Sequence, residues 1–281
     1  METNEKKIEN VIYGINGPVV TVANSRSFSM AEMVHVGKEK LVGEVIGITD
    51  KLTTIQVYEE TTGLFPGEPV EGTGSPMSVT LGPGILDNIF DGIERPLKEI
   101  EEESGAFIAR GSSVSSLNTK KLWEVTLLVK EGDFLKGGDI YAQCPETPVI
   151  THKCMVPPSL EGTVVKVYPN GSYHVNDTIV ELKDKKGKIH NLSLCQKWPI
   201  RTPRPVAQRL QTTVPLITGQ RVIDTLLPIA KGGTAAIPGG FGTGKTMTQH
   251  QLAKWCDANI IIYVGCGERG NEMSQVLSEF S

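Results

Sequence analysis

The hydrophobic pattern changes period several times along the chain, and each change predicts a different kind of element. Apolar runs at 11–15 and 19–22 flank Asn16-Gly17-Pro18, which reads as strand, turn and strand. Short β patterns follow at 33–36, 41–48 and 53–58. In the last, Ile55 and Val57 alternate with Thr54, Gln56 and Tyr58, as on a half-buried strand. Strands this short and this close together, with no helical period between them, predict a small closed barrel.

Turn signals then fill 63–84, where Gly67-Glu68-Pro69, Gly74-Ser75-Pro76 and Gly82-Pro83-Gly84 recur. Over 85–100 the apolar positions Ile85, Leu86, Ile89, Phe90, Ile93, Leu97 and Ile100 fall three and four apart. That predicts helix, with Pro96 breaking or ending one segment. The acidic residues at 99–103 read as a solvated helix end. From 111 to 195 the pattern is β again, with candidate strands at 122–129, 162–168, 172–175, 177–182 and 189–192. Asn170-Gly171 reads as a hairpin turn and 184–188 as the tip of another. Lys183, Lys185, Lys186 and Lys188 read as the solvated face of that tip. The Pro-rich stretch 198–205 is an extended linker.

Beyond the linker, the short apolar run 234–238 predicts a buried strand. Residues 247–255 contain no Gly or Pro and carry Leu252 and Trp255 three apart, which predicts a helix. The unbroken run Ile260-Ile261-Ile262-Tyr263-Val264 predicts a strand buried on both faces.

Between predicted strand and helix lies Gly239-Gly240-Phe241-Gly242-Thr243-Gly244-Lys245-Thr246, which fits the phosphate-binding pattern G-x-x-x-x-G-K-[ST]. A triphosphate needs several N–H groups converging on its oxygens, closer than a Cβ would allow. The glycines permit that approach and the left-handed turns it requires. The loop opens onto a helix N-terminus, where free N–H groups and the helix dipole favour an anion. Lys245 is then placed to reach the β- and γ-phosphates of ATP, or the β-phosphate of ADP, and the Thr246 hydroxyl to ligate Mg²⁺. The run 260–264 ends at Gly265-Cys266-Gly267-Glu268-Arg269. Ligands of open α/β sheets sit beyond the carboxyl ends of strands, so Glu268 is the candidate to accept a proton from, or orient, an attacking water. Arg269 is the candidate to stabilise phosphate charge or support the loop.

Composition narrows the alternatives without adding a site. A net charge of −4 argues against nucleic acid held by bulk electrostatics. No run approaches about 18 apolar residues, and the charged opening Met1-Glu2-Thr3-Asn4-Glu5-Lys6-Lys7 is not a secretory leader. Any membrane role is therefore expected to be indirect. The five cysteines share no C-x-x-C spacing, and the five histidines show no metal-ligand spacing, so reduced thiols and structural or surface histidines are expected.

These motifs together resemble the catalytic A subunits of V/A-type rotary ATPases. The likeness rests on 238–246 and on Tyr263-Val264-Gly265-Cys266-Gly267-Glu268-Arg269-Gly270-Asn271-Glu272-Met273. It extends to Asn16-Gly17-Pro18-Val19-Val20, Ile55-Gln56-Val57-Tyr58-Glu59, Leu81-Gly82-Pro83-Gly84-Ile85-Leu86 and 224–239. The β-rich segment resembles the extra domain that separates these chains from F-type β subunits, and the intact loop separates them from the non-catalytic B subunit. Gly240 departs from the family, which usually has Pro or Ala there.

The resemblance implies a mixed fold: a small β-barrel at 1–70, a connection at 71–110, a β-rich inserted domain at 111–195 and the start of an α/β P-loop, RecA-like nucleotide-binding domain at 196–281. It implies catalytic Lys245 and Glu268, nucleotide bound by 239–246, and Mg²⁺ on Thr246; Arg269 joins the catalytic candidates from its place beside Glu268. It further implies ATP hydrolysis or synthesis coupled to H⁺ or Na⁺ transport, in an alternating A3B3 head with B subunits and with central and peripheral stalks. The location implied is the cytoplasmic face of a membrane, touching the rotor sector only indirectly. The rival readings are another hexameric P-loop ATPase (F-type β or secretion motor) and a non-catalytic nucleotide-binding assembly subunit.

The family carries roughly as much chain again after this point, including a Walker-B Asp, the adenine pocket and a helical domain. The chain is accordingly expected to be an N-terminal fragment. By itself it should turn over ATP poorly or not at all. Brisk phosphate release by the purified 281-residue chain is the contrary outcome.

Overall fold

Six antiparallel strands open the fold: β1 (Ile12–Asn16), β2 (Val19–Ala23), β3 (Glu32–Val36), β4 (Leu41–Ile48), β5 (Leu52–Val57) and β6 (Val70–Pro76), in the sheet order β1-β2-β5-β4-β3-β6. This is a computed structural model, and it describes residues 10–23, 27–206, 208–240 and 242–280. Gly17, at φ 56°, takes the left-handed turn between β1 and β2, a conformation that costs a glycine little. Alternation places Ile55 and Val57 of β5, Val20 and Val22 of β2, and Val34 and Val36 of β3 in one buried cluster. The sheet closes on itself just before β6. There Ile12 N–H donates to Glu68 O at 2.8 Å, Val70 N–H donates to Asn10 O at 2.8 Å, and Val11 bridges Pro69. Closure removes the sheet edges that would otherwise offer unpaired N–H and C=O groups.

The chain leaves through β7 (Ser78–Leu81). Residues 85–96, expected to be helical, are not. An Asp91-Gly92 turn forms instead: Asp91 N–H donates to Arg95 O at 3.0 Å, and the Asp91 carboxylate accepts from Ile93 N–H (3.0 Å) and Arg95 N–H (2.8 Å). A carboxylate that takes local N–H groups offers the backbone an alternative to helix, and Pro96 cannot supply an interior helical N–H. The helix starts only after it, as α1 (Leu97–Ser104), burying Ile100 and ending at Gly105. Arg95 also pairs with Glu59 at 3.0 Å, which ties the turn to the end of β5.

Nine strands follow: β8 (Trp123–Leu127), β9 (Phe134–Leu135), β10 (Ile140–Pro145), β11 (Thr151–Met155), β12 (Gly162–Val167), β13 (Gly171–Tyr173), β14 (Val180–Lys183), β15 (Ile189–Leu192) and β16 (Gln196–Pro199). Eight of them form two four-stranded sheets, β11-β10-β8-β13 and β15-β14-β12-β9. Tyr141, Ala142, Val164, Ile179 and Leu182 belong to the core they share. The tip at 184–188 joins β14 to β15 as expected, with Asp184 N–H donating to Lys188 O at 2.9 Å. Asn170-Gly171 is not a hairpin turn. It carries the chain from one sheet to the other, because β13 pairs with β8, and the Asn170 side chain accepts from Leu127 N–H at 2.8 Å.

The expected linker at 198–205 begins inside a strand. β16 pairs antiparallel with β7, Trp198 opposite Val79, so the entry and the exit of the inserted β structure are laced together. Just beyond, the Arg201 guanidinium grips Glu44 of β4 with two bonds of 2.8 Å, and the Tyr58 hydroxyl donates to the same carboxylate at 2.6 Å. The first compact unit, Met1–Val206, is thus closed by hydrogen bonds at both ends of its insertion.

The second unit, Ala207–Ser281, holds β17 (Pro215–Leu216) paired with β18 (Ile229–Ala230), and the helices α2 (Arg221–Leu226), α3 (Lys245–Trp255) and α4 (Gly270–Phe280). Neither 234–238 nor 260–264 is a strand. Ile262 is 83% and Val264 76% exposed, where burial on both faces was expected. A parallel strand is held by neighbours on each side, and among the described residues no strand pairs with either run.

The packing and the Glu44 ion pair each carry an expected effect on stability. Leu182→Ala should cost about 2–5 kcal/mol through the cavity it leaves, seen as a lower denaturant midpoint. The Arg201 bond, aided by Tyr58, holds the Glu44 carboxyl below the ordinary carboxylate range despite burial. A group whose pKa is depressed by folding adds stability above its unfolded value, and that stability is lost as pH falls through the folded value. Arg201→Met should therefore lower the thermal midpoint at pH 7, and the deficit should shrink as pH falls below about 4. A deficit that is constant with pH would contradict the assignment.

Candidate functional site

The loop before α3 owes its shape to glycines at specific points. Gly242 (φ 77°) and Gly244 (φ 83°) are left-handed, and Gly244 is the residue from which the helix departs. A Cβ on Gly239 would stand 2.5 Å from the Thr243 hydroxyl, too close for any real side chain, whereas one on Gly240 would meet nothing within 4 Å. Position 240 therefore has room for the Ala or Pro usual in the resembled family. The Thr243 hydroxyl donates to Gly240 O at 2.9 Å and tightens the turn. Phe241 lies outside the described residues.

Lys245 opens α3 and folds back over the loop. Its ammonium donates to Gly240 O at 3.1 Å and also to Gly239 O. Thr246, next on the helix, is half-buried. The donor set suits a polyphosphate: helix-start N–H groups, one ammonium and the hydroxyls of Thr243 and Thr246, with no carboxylate anywhere in 239–246. Among the described residues no group of three or more His, Cys, Asp or Glu could hold a metal by itself. Thr246 alone suits a divalent ion that arrives with phosphates, since Mg²⁺ characteristically keeps waters and phosphate oxygens as ligands.

The buried position on α3 is His250, at 0% exposure, and not Leu252 or Trp255; Trp255 is 64% exposed. His250 meets the Tyr263 ring edge to face, centroids 5.8 Å apart, and lies 3.7 Å from Glu279 of α4. Lys254 pairs with the same Glu279 at 2.6 Å, which holds that carboxyl below its ordinary range. Both contacts fasten α4 to α3.

Glu268 is half-buried. The Tyr263 hydroxyl lies 3.2 and 3.1 Å from its two oxygens, and burial, reinforced by this carboxylate, pushes the phenol above its ordinary pKa. Arg269 is exposed, and its carbonyl accepts from Met273 N–H at 3.1 Å as α4 begins. A Cβ on Gly265 would collide with the Met273 sulfur, so the glycine lets α4 lie against this loop. Among the described residues no hydrogen bond or ion pair joins Glu268 directly to the loop at 239–246. The connection runs through His250 and Tyr263. Sequence reasoning missed both residues: His250 sits in a helix with no apolar stripe to mark its buried side, and Tyr263 sits inside a run read as strand.

Comparison with known proteins agrees with this organisation. Three family models match in succession: the ATP synthase alpha/beta family beta-barrel domain at 12–74, the ATP synthase alpha/beta subunit barrel-sandwich domain at 114–201, and the ATP synthase alpha/beta family nucleotide-binding domain at 219–281. The V-type ATP synthase alpha chain of Halothermothrix orenii is 59% identical over 276 residues, covering 98% of this chain and 46% of that protein. The V-type ATP synthase alpha chain 2 of Clostridium tetani is 57% identical over 269 residues, covering 96% of this chain and 45% of that one. The chain thus spans about half the length of these relatives. The assembled ATPase EscN of the enteropathogenic E. coli type III secretion system shares the fold, at TM-score 0.53 and 18% identity over 96% of this chain and 44% of that one. No helix among the described residues is long and apolar enough to cross a membrane. With all three of its domain types in order and more than half of its residues shared with these relatives, the chain belongs to the ATP synthase alpha/beta family.

Proposed function

We propose that this chain is the nucleotide-loop half of the catalytic subunit of a V/A-type rotary ATPase, which hydrolyses or synthesises ATP. The observation that carries the reading is the loop itself, with left-handed Gly242 and Gly244, a Gly239 where a Cβ would crowd the Thr243 hydroxyl, and Lys245 folded across it. The ammonium donates to two backbone carbonyls of the loop. Phosphate oxygens are better acceptors than carbonyls, so Lys245 exchanges the carbonyls for the β- and γ-phosphates when nucleotide binds. The N–H groups of 239–246 and the start of α3 hold the remaining charge. Thr246 would supply the protein ligand for Mg²⁺, which would add positive charge against the phosphates when bound.

Glu268 orients a water for in-line attack on the γ-phosphorus and takes its proton. Arg269, exposed beside it, supports the loop or stabilises phosphate charge. By the family resemblance, the partners are B subunits that alternate with this one in a ring, together with central and peripheral stalks. The place of action is peripheral, on the cytoplasmic face of a membrane. The barrel-sandwich segment at 114–201 and the 59% identity to a V-type alpha chain, set against 18% to a secretion ATPase, favour this over the other hexameric ATPases.

The test uses the full-length protein in complex with its partners. Lys245→Ala should weaken ATP binding at least about tenfold, the scale of a lost hydrogen bond to a charged group. Glu268→Gln should keep nucleotide affinity while turnover falls about 10²–10⁴-fold, the usual contribution of a general base. Unchanged turnover in both variants would end the proposal.

A further inference from the structure

Tyr263 stands apart from the run that contains it. Ile260, Ile261, Ile262 and Val264 are exposed, while Tyr263 is half-buried and reaches both oxygens of one carboxylate. We propose that Tyr263 is a positioning residue for Glu268, and that His250 of the P-loop helix fixes the ring from which it acts. This rests on the reading of Glu268 as the water-activating carboxylate.

A carboxylate on a loop samples rotamers, and each rotamer aims its lone pairs differently. Catalysis by a general base requires one of those directions to persist. A phenol hydroxyl shared between the two oxygens holds the carboxylate plane while leaving a lone pair on each for water. At 3.2 and 3.1 Å the hydroxyl is shared between the two oxygens, so it fixes the carboxylate's plane by geometry. The ring cannot swing freely, since fully buried His250 meets it edge to face at 69° between planes, a favoured aromatic arrangement. His250 lies on the same helix as Lys245, and Glu279 at 3.7 Å backs it from α4. The helix that grips the phosphates and the carboxylate that handles the water therefore share a mechanical link of two rings.

Tyr263→Phe tests this in the full-length protein in complex with its partners. The variant keeps the ring and its contact with His250 and loses only the hydroxyl. The expected result is a fall in kcat for ATP of about tenfold or more, with KM and the affinity for a fluorescent ADP analogue unchanged within about twofold. In a Glu268→Asp background, whose shorter side chain already lies out of reach of the hydroxyl, adding Tyr263→Phe should change kcat by less than about twofold. Unchanged kcat in Tyr263→Phe, alongside an inactive Glu268→Gln, would overturn the positioning role and leave the catalytic reading of Glu268 standing. A parallel loss of nucleotide affinity and kcat would mark the hydroxyl as structural and overturn it too. Full turnover in Glu268→Gln would overturn both readings at once.

Discussion

Backbone pairing is the constraint on which the rest of this structure depends. A strand carries an N–H and a C=O at every residue, and each needs a partner if it is to leave water. In the first unit those partners all lie within the unit itself. The barrel runs in the order β1-β2-β5-β4-β3-β6 and returns at Val70 to the residues around Ile12, where main-chain bonds join its two ends. The two sheets of the inserted region are likewise antiparallel throughout. Under the nucleotide loop the situation reverses. A doubly wound parallel sheet takes its neighbours from distant crossovers, and the runs at 234–238 and 260–264 have none among the described residues. Ile260, Ile261, Ile262 and Val264 consequently face solvent.

The same constraint explains what was legible beforehand. Period-two alternation reports a face, and faces are settled by immediate neighbours; hence the strands around Ile55 and Val34 could be read to within a residue or two. The loop at 239–246 stood out because the pattern it fits demands particular residue types at fixed spacing, whatever surrounds it. Residues 85–96 misled because apolar spacing cannot see an Asp91 side chain competing for the backbone, nor the ion pair of Arg95 with Glu59 that anchors the turn. Asn170-Gly171 misled because a turn signal says that the chain reverses and not which strand it then joins. Tyr263 and His250 were invisible for a further reason: an edge-to-face contact between rings on separate segments leaves no period in the sequence.

In the loop at 239–246, geometry and charge cooperate. The Thr243 hydroxyl and the Lys245 ammonium both direct their hydrogen bonds at loop carbonyls, which keeps the turn compact and the lysine close to its working position. Preorganisation of this kind lowers the conformational entropy lost when a ligand binds.

The lacing of β7 to β16 has a consequence for how such proteins diversify. Because the two ends of the inserted β structure emerge side by side, one strand spacing apart at about 5 Å, the barrel experiences the insertion as little more than a hairpin. Its eight strands can lengthen, shrink or acquire new surface without disturbing the frame that carries them. A graft made between Leu81 and Gln196, the innermost pair of that lacing, is a natural seam for exchanging one such appendage with another.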